Sequence, residues 1–536
     1  MWVAFSDHVR AAASKQRSIG TAALAGVALA AAQASFKCSP HRKPTGWLRA
    51  SFLASALAAS LLAPSAVQAG CTDTFKYYFK PDPIPPGFVD VPPFKGNTFF
   101  TPGGMPLQHA VPLGVGASLN ALMSTMNTVN TAFLSPSSAF ISAPGGAEPN
   151  KFGGGVWGRS VTGEVETKSA TTAKIDALSA SVVFVNPVTG KGTRNISDGF
   201  EGFLPDADEI KKGSSTCEGS LKEQYYGYQF GYDLAMLNLG GGGANIHLGL
   251  TAGYFGSKAK DTTPGSIFSK PLDGGGSVDL TVPEGTLGAS TQVPFLGLYA
   301  AMTAGNFFAD ALVRQDFYMM SLNDPANGLK DQKSNAYGFS VAANAGYKIP
   351  LPSNWFIEPS GGALWSWVRP DPIDSTGAFL GEVQLPAGPG GVPAEGFLIK
   401  NAGRVQVDTI ESLLGRATLR VGTTVSLGDV VWQPFVAGTV FHEFAKDVKA
   451  TSSLSRDNLV VINANCPTNS SPDSCAAFGV TQMSTSTSRI GTFYQYGVGT
   501  AIVLGNSGWV GFGRADYRMG ENVEGYSVTG GIRYHW

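Results

Sequence analysis

The sequence predicts an all-β protein: a twelve-stranded antiparallel transmembrane β-barrel with an N-terminal helix in its pore. From Gly153 onward, about twelve segments alternate apolar and polar residues, as strands do when one face meets lipid and the other meets water. Short turns and long loops alternate between these segments, which is typical of barrels in the bacterial outer membrane. The final segment, Tyr526–Trp536, ends on an aromatic residue, as expected at the membrane interface. A soluble β-sandwich accounts for neither the loop pattern nor the aromatic outer face.

The composition fits this class and excludes others. The chain has 536 residues, a net charge of -1, 68 glycines, 11% aromatic residues and only 14% charged residues. Because Lys and Arg are not in excess, nucleic acid is not an expected partner. A mean hydropathy of +0.04 is too low for a bundle of membrane helices, and it suits strands whose two faces differ in polarity.

The N-terminal part predicts export. We interpret residues 1–69 as a leader and signal peptide, with an apolar h-region at 50–63 and cleavage after Ala69. A membrane anchor is disfavoured because the apolar run is too short to span a bilayer and ends at Pro64. A second apolar run lies further upstream, so the true start codon stays open. The mature chain would then enter the periplasm through the Sec translocon and meet periplasmic chaperones.

Four cysteines follow the leader, and an exported chain meets an oxidising compartment. Cys466 and Cys475 lie close together in the sequence, so we predict a local disulfide between them. Cys71 and Cys217 would form the complementary pair, although spacing does not determine connectivity. No histidine accompanies these cysteines, so a metal site is not predicted, and no cofactor is expected.

The mature chain divides into three parts. Residues 70–115 are rich in proline and bury too little apolar surface to fold alone, so we interpret them as a tail. Residues 116–152 hold a helix, with Ser118 as its predicted N-cap, and a linker; residues 153–536 form the barrel. The apolar stripe of the helix consists of Leu119, Leu122, Met123, Met126, Val129 and Phe133. A helix on a soluble core shows the same stripe, but the uncharged polar residues beside it favour a barrel lumen.

Charged residues within the predicted strands mostly have the parity opposite to the apolar face. These residues are expected to line the lumen, because a charge facing lipid costs a few kcal/mol near the midplane. The predicted lumen charges are Arg159, Asp310, Arg314, Asp316, Arg514, Asp516, Arg518 and Arg533. Tryptophans near strand ends suit an aromatic girdle; they are Trp355, Trp365, Trp367, Trp432, Trp509 and Trp536.

Residues 116–536 resemble the β-barrel domain of autotransporters, the type V secretion proteins. A helix precedes the barrel, and a Trp-x-Arg strand, Gly155-Val156-Trp157-Gly158-Arg159, opens it. The Gly-Arg strand of the family is similar to Gly415–Gly422, and the next strand carries Trp432–Phe435. The family's terminal strand is similar to Gly530–Trp536.

The resemblance implies a barrel with the helix threaded through its pore. In the family, the C-terminal strand is read by the barrel-assembly machinery, which assigns that signal here to Tyr534 and Trp536. The family carries a passenger to the cell surface, and here only residues 70–115 stand in that place. The chain departs from relatives that cut paired asparagines in the helix, because Asn120, Asn127 and Asn130 are separated.

Our leading hypothesis is an outer-membrane translocator with a very short passenger, whose long surface loops are adhesive or structural. It contacts outer-membrane lipid and lipopolysaccharide, and its surface ligand is not identified. The alternative is a porin-like channel plugged by the helix. A third hypothesis, a hydrolase using His442 beside Glu443, is the weakest: no Ser-His-Asp set is present, and we expect no enzyme.

Overall fold

The computed structural model describes residues 71–73, 77–79, 99–101, 106–133, 148–182, 194–197, 214–263, 266–271, 277–282, 285–325, 329–375, 382–384, 396–398, 403–454, 460–461 and 476–536. The predicted signal peptide and the pair Cys466 and Cys475 lie outside these residues.

Twelve antiparallel strands pair in sequence order, and the last strand pairs with the first to close the ring. The strands are β1 Lys151–Val182, β2 Ser214–Leu239, β3 Ala244–Thr263, β4 Gly285–Ala304, β5 Phe307–Asp324, β6 Leu329–Tyr347, β7 Trp355–Pro370, β8 Ile410–Thr423, β9 Val430–Glu443, β10 Thr492–Leu504, β11 Trp509–Gly520 and β12 Val523–His535. At the seam, Gly530 of β12 lies opposite Ser160 of β1. The predicted fold class, a closed twelve-stranded barrel with a preceding helix, is confirmed.

One end of the barrel has tight turns. Gly305 and Gly428 begin two of them with φ of +58° and +62°, a left-handed conformation that glycine adopts without a steric penalty. In outer-membrane barrels the short turns are periplasmic, so the opposite end is extracellular.

Further strands flank this ring, and most of them lie at its extracellular end. β1 has 32 residues, and its upper part pairs with Ala476–Thr487 instead of β12. The remaining strands are Cys71–Asp73, Tyr77–Phe79, Phe99–Thr101, Arg194–Ser197, Ser266–Pro271, Ser277–Val282, Ile349–Pro350, Ile373–Ser375, Glu382–Gln384, Gly396–Leu398, Gly403–Val407, Val425–Leu427, Val448–Leu454 and Val460–Val461. Short 3-10 turns occupy Pro352–Asn354 and Gly505–Ser507.

The two faces of the barrel differ in polarity as the alternation predicts. The outward row of β2 is apolar or aromatic over six positions, each 43–62% exposed: Tyr226, Tyr228, Phe230, Tyr232, Leu234 and Met236. The intervening residues point into the barrel, and among them Gln229 and Asp233 are buried. Lipid is the favourable surrounding for such an exposed apolar row.

Among the described residues, one long helix, α1 Pro106–Phe133, precedes the barrel. The predicted start at Ser118 is wrong, because Ser118 lies inside the helix and is only 2% exposed. Proline suits the first helical position, since its missing N–H has no intrahelical partner there. Pro112 and two glycines disfavour a helix on propensity alone, which is why the sequence does not predict the first turns. No helix among the described residues is long and apolar enough to span a membrane.

Helix α1 runs down into the lumen from the extracellular end, antiparallel to β1. Gly116 lies against Thr171 of β1, and Asn120 accepts a hydrogen bond from Thr167 at 3.3 Å. The last helical residue, Phe133, contacts Arg159, well above the periplasmic start of β1. The helix therefore ends inside the barrel.

Candidate functional site: the lumen around the helix

Three hydroxyl groups of α1 hold one buried carboxylate of the barrel wall. Glu223 of β2 is 0% exposed and accepts hydrogen bonds from Ser124 at 2.6 Å, from Thr125 at 2.8 Å and from Thr128 at 3.4 Å. The donors share one helix face because Thr128 lies three residues after Thr125 and four residues after Ser124. We name this set, Glu223 with its three donors, the upper latch.

An arginine holds the C-terminal end of the helix. Arg159 of β1 donates through Nη2 to the carbonyl oxygen of Phe133, and its Nε donates to Gln229 at 2.7 Å. Its guanidinium also lies 5.6 Å from the centre of the Phe133 ring. A cation is favourable here because the last carbonyl groups of a helix lack partners and carry partial negative charge.

A second arginine binds the last turn from the opposite wall. Arg314 of β5 donates to the side-chain oxygen of Asn130 at 2.9 Å, and Asn130 donates to Ser366 of β7 at 3.1 Å. Arg314 forms an ion pair with Asp316 at 2.6 Å, and both side chains are 0% exposed. Asp316 also accepts from Ser340 at 3.2 Å.

The ring of Phe133 fits a space that the wall leaves open. It packs against Phe255 and Phe295, with ring centres 6.3 and 5.0 Å away. Gly227 of β2 makes this approach possible, because a Cβ at that position would lie 2.5 Å from the tip of the Phe133 ring. The end of the helix thus packs into a pocket formed by Gly227, Phe255 and Phe295.

Below the helix the lumen encloses a cavity with a basic lining. Arg159, Arg416, Arg420, Arg514 and Arg518 line it, with only Glu358 and Asp516 as carboxylates. Arg420 pairs with Glu358 at 2.6 Å, and Arg514 pairs with Asp516 at 2.6 Å. Arginines outnumber carboxylates, so this periplasmic chamber carries a net positive charge.

All eight residues predicted as lumen charges have inward parity. Arg159, Arg314, Asp316, Asp516, Arg518 and Arg533 are buried, and Asp310 and Arg514 are half-buried. The prediction missed Glu223, Asp233, Glu358, Arg416 and Arg420. Asp233, Glu358, Arg416 and Arg420 each alternate with outward apolar, aromatic or small residues, so counting parity along their strands could have found them. Glu223 stands between Lys222 and Gln224, so only the alternation further along β2 places it inward.

A polar cluster lies near the periplasmic end and reaches across β1 at the seam. Asp233 of β2 accepts hydrogen bonds from Tyr299 of β4 and from Arg533 of β12, both at 2.8 Å. His247 Nδ1 is also 2.8 Å from Asp233. Trp157 donates to Tyr299 at 2.7 Å. Among the described residues, nothing bonds to Nε2 of His247, so no nucleophile accompanies this pair.

The structure does not bring His442 and Glu443 together. As neighbours in a strand they point to opposite faces. His442 is exposed on the outer face beside Thr492 at 2.6 Å, whereas Glu443 points inward and accepts from Ser412 at 2.5 Å. Within the described ranges, no group of three or more His, Cys, Asp or Glu could hold a metal ion.

The remaining predicted residues lie at the two ends of the barrel. At the periplasmic end Tyr534 stacks near Trp509, with ring centres 5.0 Å apart, and Trp536 lies 5.9 Å from Tyr232. At the extracellular end the Cα atoms of Cys71 and Cys217 are partners in the strand register. Cys217 is 3% exposed.

One family model and several solved structures are similar to this chain. Residues 207–385 match the model of the family described as autotransporter beta-domain. The β domain of the Bordetella autotransporter BrkA is similar at 16% identity, covering 71% of this chain and 98% of that chain, with a TM-score of 0.36. The transport unit of AIDA-I from Escherichia coli is similar at 14% identity, covering 80% and 99%, with a TM-score of 0.40.

The translocator domain of NalP from Neisseria meningitidis is similar at 13% identity, covering 78% of this chain and 98% of that chain, with a TM-score of 0.37. A search of the curated proteins found no match. The family match lies on β2 to β7, within a closed barrel that holds the preceding helix. Residues 207–385 therefore match the autotransporter β-domain family, and the chain forms a closed β-barrel of the bacterial outer membrane.

Proposed function

We propose that this barrel is the translocator of a very short passenger, residues 70–115, and that α1 stays in the lumen as a plug. The polarity of the chain supports this proposal. Helix α1 enters the lumen from the extracellular end, and the short strand Cys71–Asp73 pairs with the extracellular end of β2. In this proposal the segment Cys71–Asp73, on the N-terminal side of the helix, lies on the cell surface.

The contacts of α1 support retention of the plug. The upper latch, the bond from Arg159 to Phe133 and the bond from Arg314 to Asn130 hold the helix at three heights. All three depend on groups with little access to water, so breaking them leaves buried polar atoms unpaired. We propose no catalytic role for the barrel; the long loops then carry its surface role, adhesive or structural.

Surface labelling tests the translocator proposal. An epitope tag after Asp73 should be labelled on intact cells, because this segment lies at the extracellular end. A matched tag between Gly428 and Asp429, in a short periplasmic turn, should be labelled only after permeabilisation. If the first tag also needs permeabilisation, the helix entered from the periplasm and the translocator proposal fails.

The porin-like channel is the second candidate function, and the basic chamber below the helix favours it. If the lumen conducts solutes with α1 in place, purified barrel in a planar bilayer should show a large steady conductance that prefers anions. The translocator proposal expects a small conductance instead. It expects the conductance to increase only when the contacts that hold α1 are removed, namely the upper latch and the bonds from Arg159 and Arg314.

Further expectations concern assembly and covalent structure. We propose that the chain is exported by the Sec translocon and bound by periplasmic chaperones. The barrel-assembly machinery then recognises Tyr534 and Trp536. We also propose a disulfide between Cys71 and Cys217, whose Cα atoms are partners in the register. Thiol alkylation before and after reduction tests it, with Cys217→Ser as the control.

A further inference from the structure

Three lysines form a compact basic patch on the outer face of the barrel. Lys222 of β2 lies directly opposite Lys260 of β3 in the strand register, and Lys258 is the adjacent outward residue of β3. All three are exposed. Like charges directly opposite each other in a sheet are destabilising. An anion that lies over such a patch relieves this repulsion.

The protein itself neutralises only part of this charge. Glu164 of β1 pairs with Lys222 at 2.7 Å. The neighbouring Glu166 accepts a hydrogen bond from Ser220 at 2.9 Å. Among the described residues, no ion pair includes Lys258 or Lys260. Within the described part of the chain, the ammonium groups of Lys258 and Lys260 are thus available to an external anion.

The height of the patch indicates where that anion comes from. Tyr226 and Tyr254 lie on the same two strands, their ring centres 6.3 Å apart, and begin the apolar outward rows. Aromatic residues in such rows mark the interface between hydrocarbon and headgroups. Lys222 and Lys258 each lie at the second outward position beyond these tyrosines. At about 3.3 Å per residue and a tilt of about 40°, this is about 10 Å further out, at the level of lipid phosphates.

The patch is local to these two strands. The next strand, β4, has Ser290 opposite Lys258 and Gln292 opposite Gly256, so its outward face is neutral at this height. On the other side, β1 contributes Glu164, which pairs with Lys222, and Glu166, which lies directly opposite Lys222 in the register. The positive charge is therefore concentrated where β2 meets β3, on the extracellular side of the rings of Tyr226 and Tyr254.

We propose that this patch, Lys222, Lys258 and Lys260, binds the phosphate group of a phosphorylated glycolipid in the outer leaflet. The ammonium groups coordinate the phosphate, while Tyr226 and Tyr254 contact the first carbons of an acyl chain. Free phosphate shares the same ion chemistry, but it gains nothing from the apolar surface below. The site is independent of the translocator function and lies entirely outside the lumen.

Binding of fluorescent lipid A to the purified full-length protein in detergent tests the proposal. The triple variant Lys222→Gln, Lys258→Gln, Lys260→Gln should bind about tenfold or more weakly, because each lysine near a lipid phosphate contributes measurably to affinity. The triple Arg variant should keep the affinity. Lys333→Gln is the matched control, since Lys333 also faces outward beyond the apolar band but lies opposite Ser321.

Every variant is checked for a folded barrel by its heat-modifiable gel mobility. The proposal is overturned if a folded triple Gln variant binds lipid A like the wild type, or if dephosphorylated lipid A binds equally well. Inorganic phosphate is tested as a competitor. If millimolar phosphate displaces lipid A completely, the site binds a free anion and the glycolipid assignment is wrong.

Discussion

The upper and lower halves of the lumen hold the same helix by different chemistry. In the extracellular half, Glu223 is surrounded by hydroxyl groups of the helix. In the periplasmic half, Arg159 and Arg314 bind the end of the helix. The helix itself has no acidic residue in its first turn and no basic residue in its last turn. The wall thus supplies all the charge, and the helix supplies only hydroxyls, amides and its backbone dipole.

The arginines at the lower end of the helix bear on its direction. The N-terminal end of a helix carries partial positive charge and the C-terminal end partial negative charge. Arg159 and Arg314 lie at the C-terminal end of α1, where the partial negative charge favours cations, so they favour the observed direction. Glu223 contacts Ser124, Thr125 and Thr128, away from either end of the helix, and an inverted helix would lose both arginine contacts.

The largest expected effect follows from breaking an ion pair in the lower half. Arg314→Met should lower the free energy of unfolding by about 3–5 kcal/mol, because it leaves Asp316 buried without its partner. Urea denaturation in detergent micelles, followed by tryptophan fluorescence, measures the change. The double variant Arg314→Met, Asp316→Leu should recover much of the loss. An equal loss of unfolding free energy in the single and double variants would mean that packing, and not charge pairing, determines the stability of this region.

A buried carboxyl group at the extracellular end should make the stability of the upper half depend on pH. Asp261 lies on the inner face beyond the membrane band, and burial followed by the nearby charge of Asp324 raises its pKa to about 7. Since the folded protein favours the protonated form, this contribution to stability is present below pH 4 and is lost as pH rises through 7. Asp261→Asn should therefore raise the unfolding temperature at pH 8 and leave it nearly unchanged at pH 4.

Heat-modifiable gel mobility between pH 4 and pH 8 measures this difference. Asp331→Asn is a suitable control, since Asp331 is exposed on β6 and its carboxylate meets water. A stabilisation of Asp261→Asn that is the same at both pH values would contradict the titration of Asp261.

A smaller effect is expected from the upper latch. Glu223→Ala leaves three helix hydroxyls without their acceptor, which should weaken docking of α1 by about 1–3 kcal/mol while the barrel stays closed. The expected readout is a more frequently open pore in planar bilayers and faster protease cleavage of the helix. Glu166→Ala, on the outer face of β1, should change neither. If the conductance of Glu223→Ala is unchanged, the arginines alone retain α1 in the lumen.

The direction of side chains is predictable from the sequence, whereas their partners are not. Alternation with period two is enough to assign Arg314 and Asp316 to the lumen. The partner Asn130, however, lies 184 residues away along the chain and on a helix. No local pattern encodes how the helix rotates about its axis or how deep it enters. Those variables depend on the close fit of Phe133 beside Gly227.

Two differences between prediction and structure have identifiable physical causes. Helix propensity favours a polar cap at Ser118 and disfavours the proline and glycines before it, so it predicts a late start for the helix. The lumen overrides that preference by packing, and the helix begins at Pro106. Adjacency in sequence makes His442 and Glu443 look like a pair, but adjacent residues of a strand point to opposite faces.

The barrel can be read from the amino-acid pattern alone: twelve alternating segments, their turns and loops, the aromatic outer face and the inward charges. These features are local, since a strand shows its two faces within a few residues and a turn shows its glycine. Which charges meet depends on the folded barrel. Closure of β12 on β1 brings Arg533 to Asp233 across 300 residues of chain, and the helix in the lumen selects Glu223, Arg159 and Arg314 as its partners. Such contacts form only after the ring closes, so their pairing is a property of the closed barrel and not of any segment.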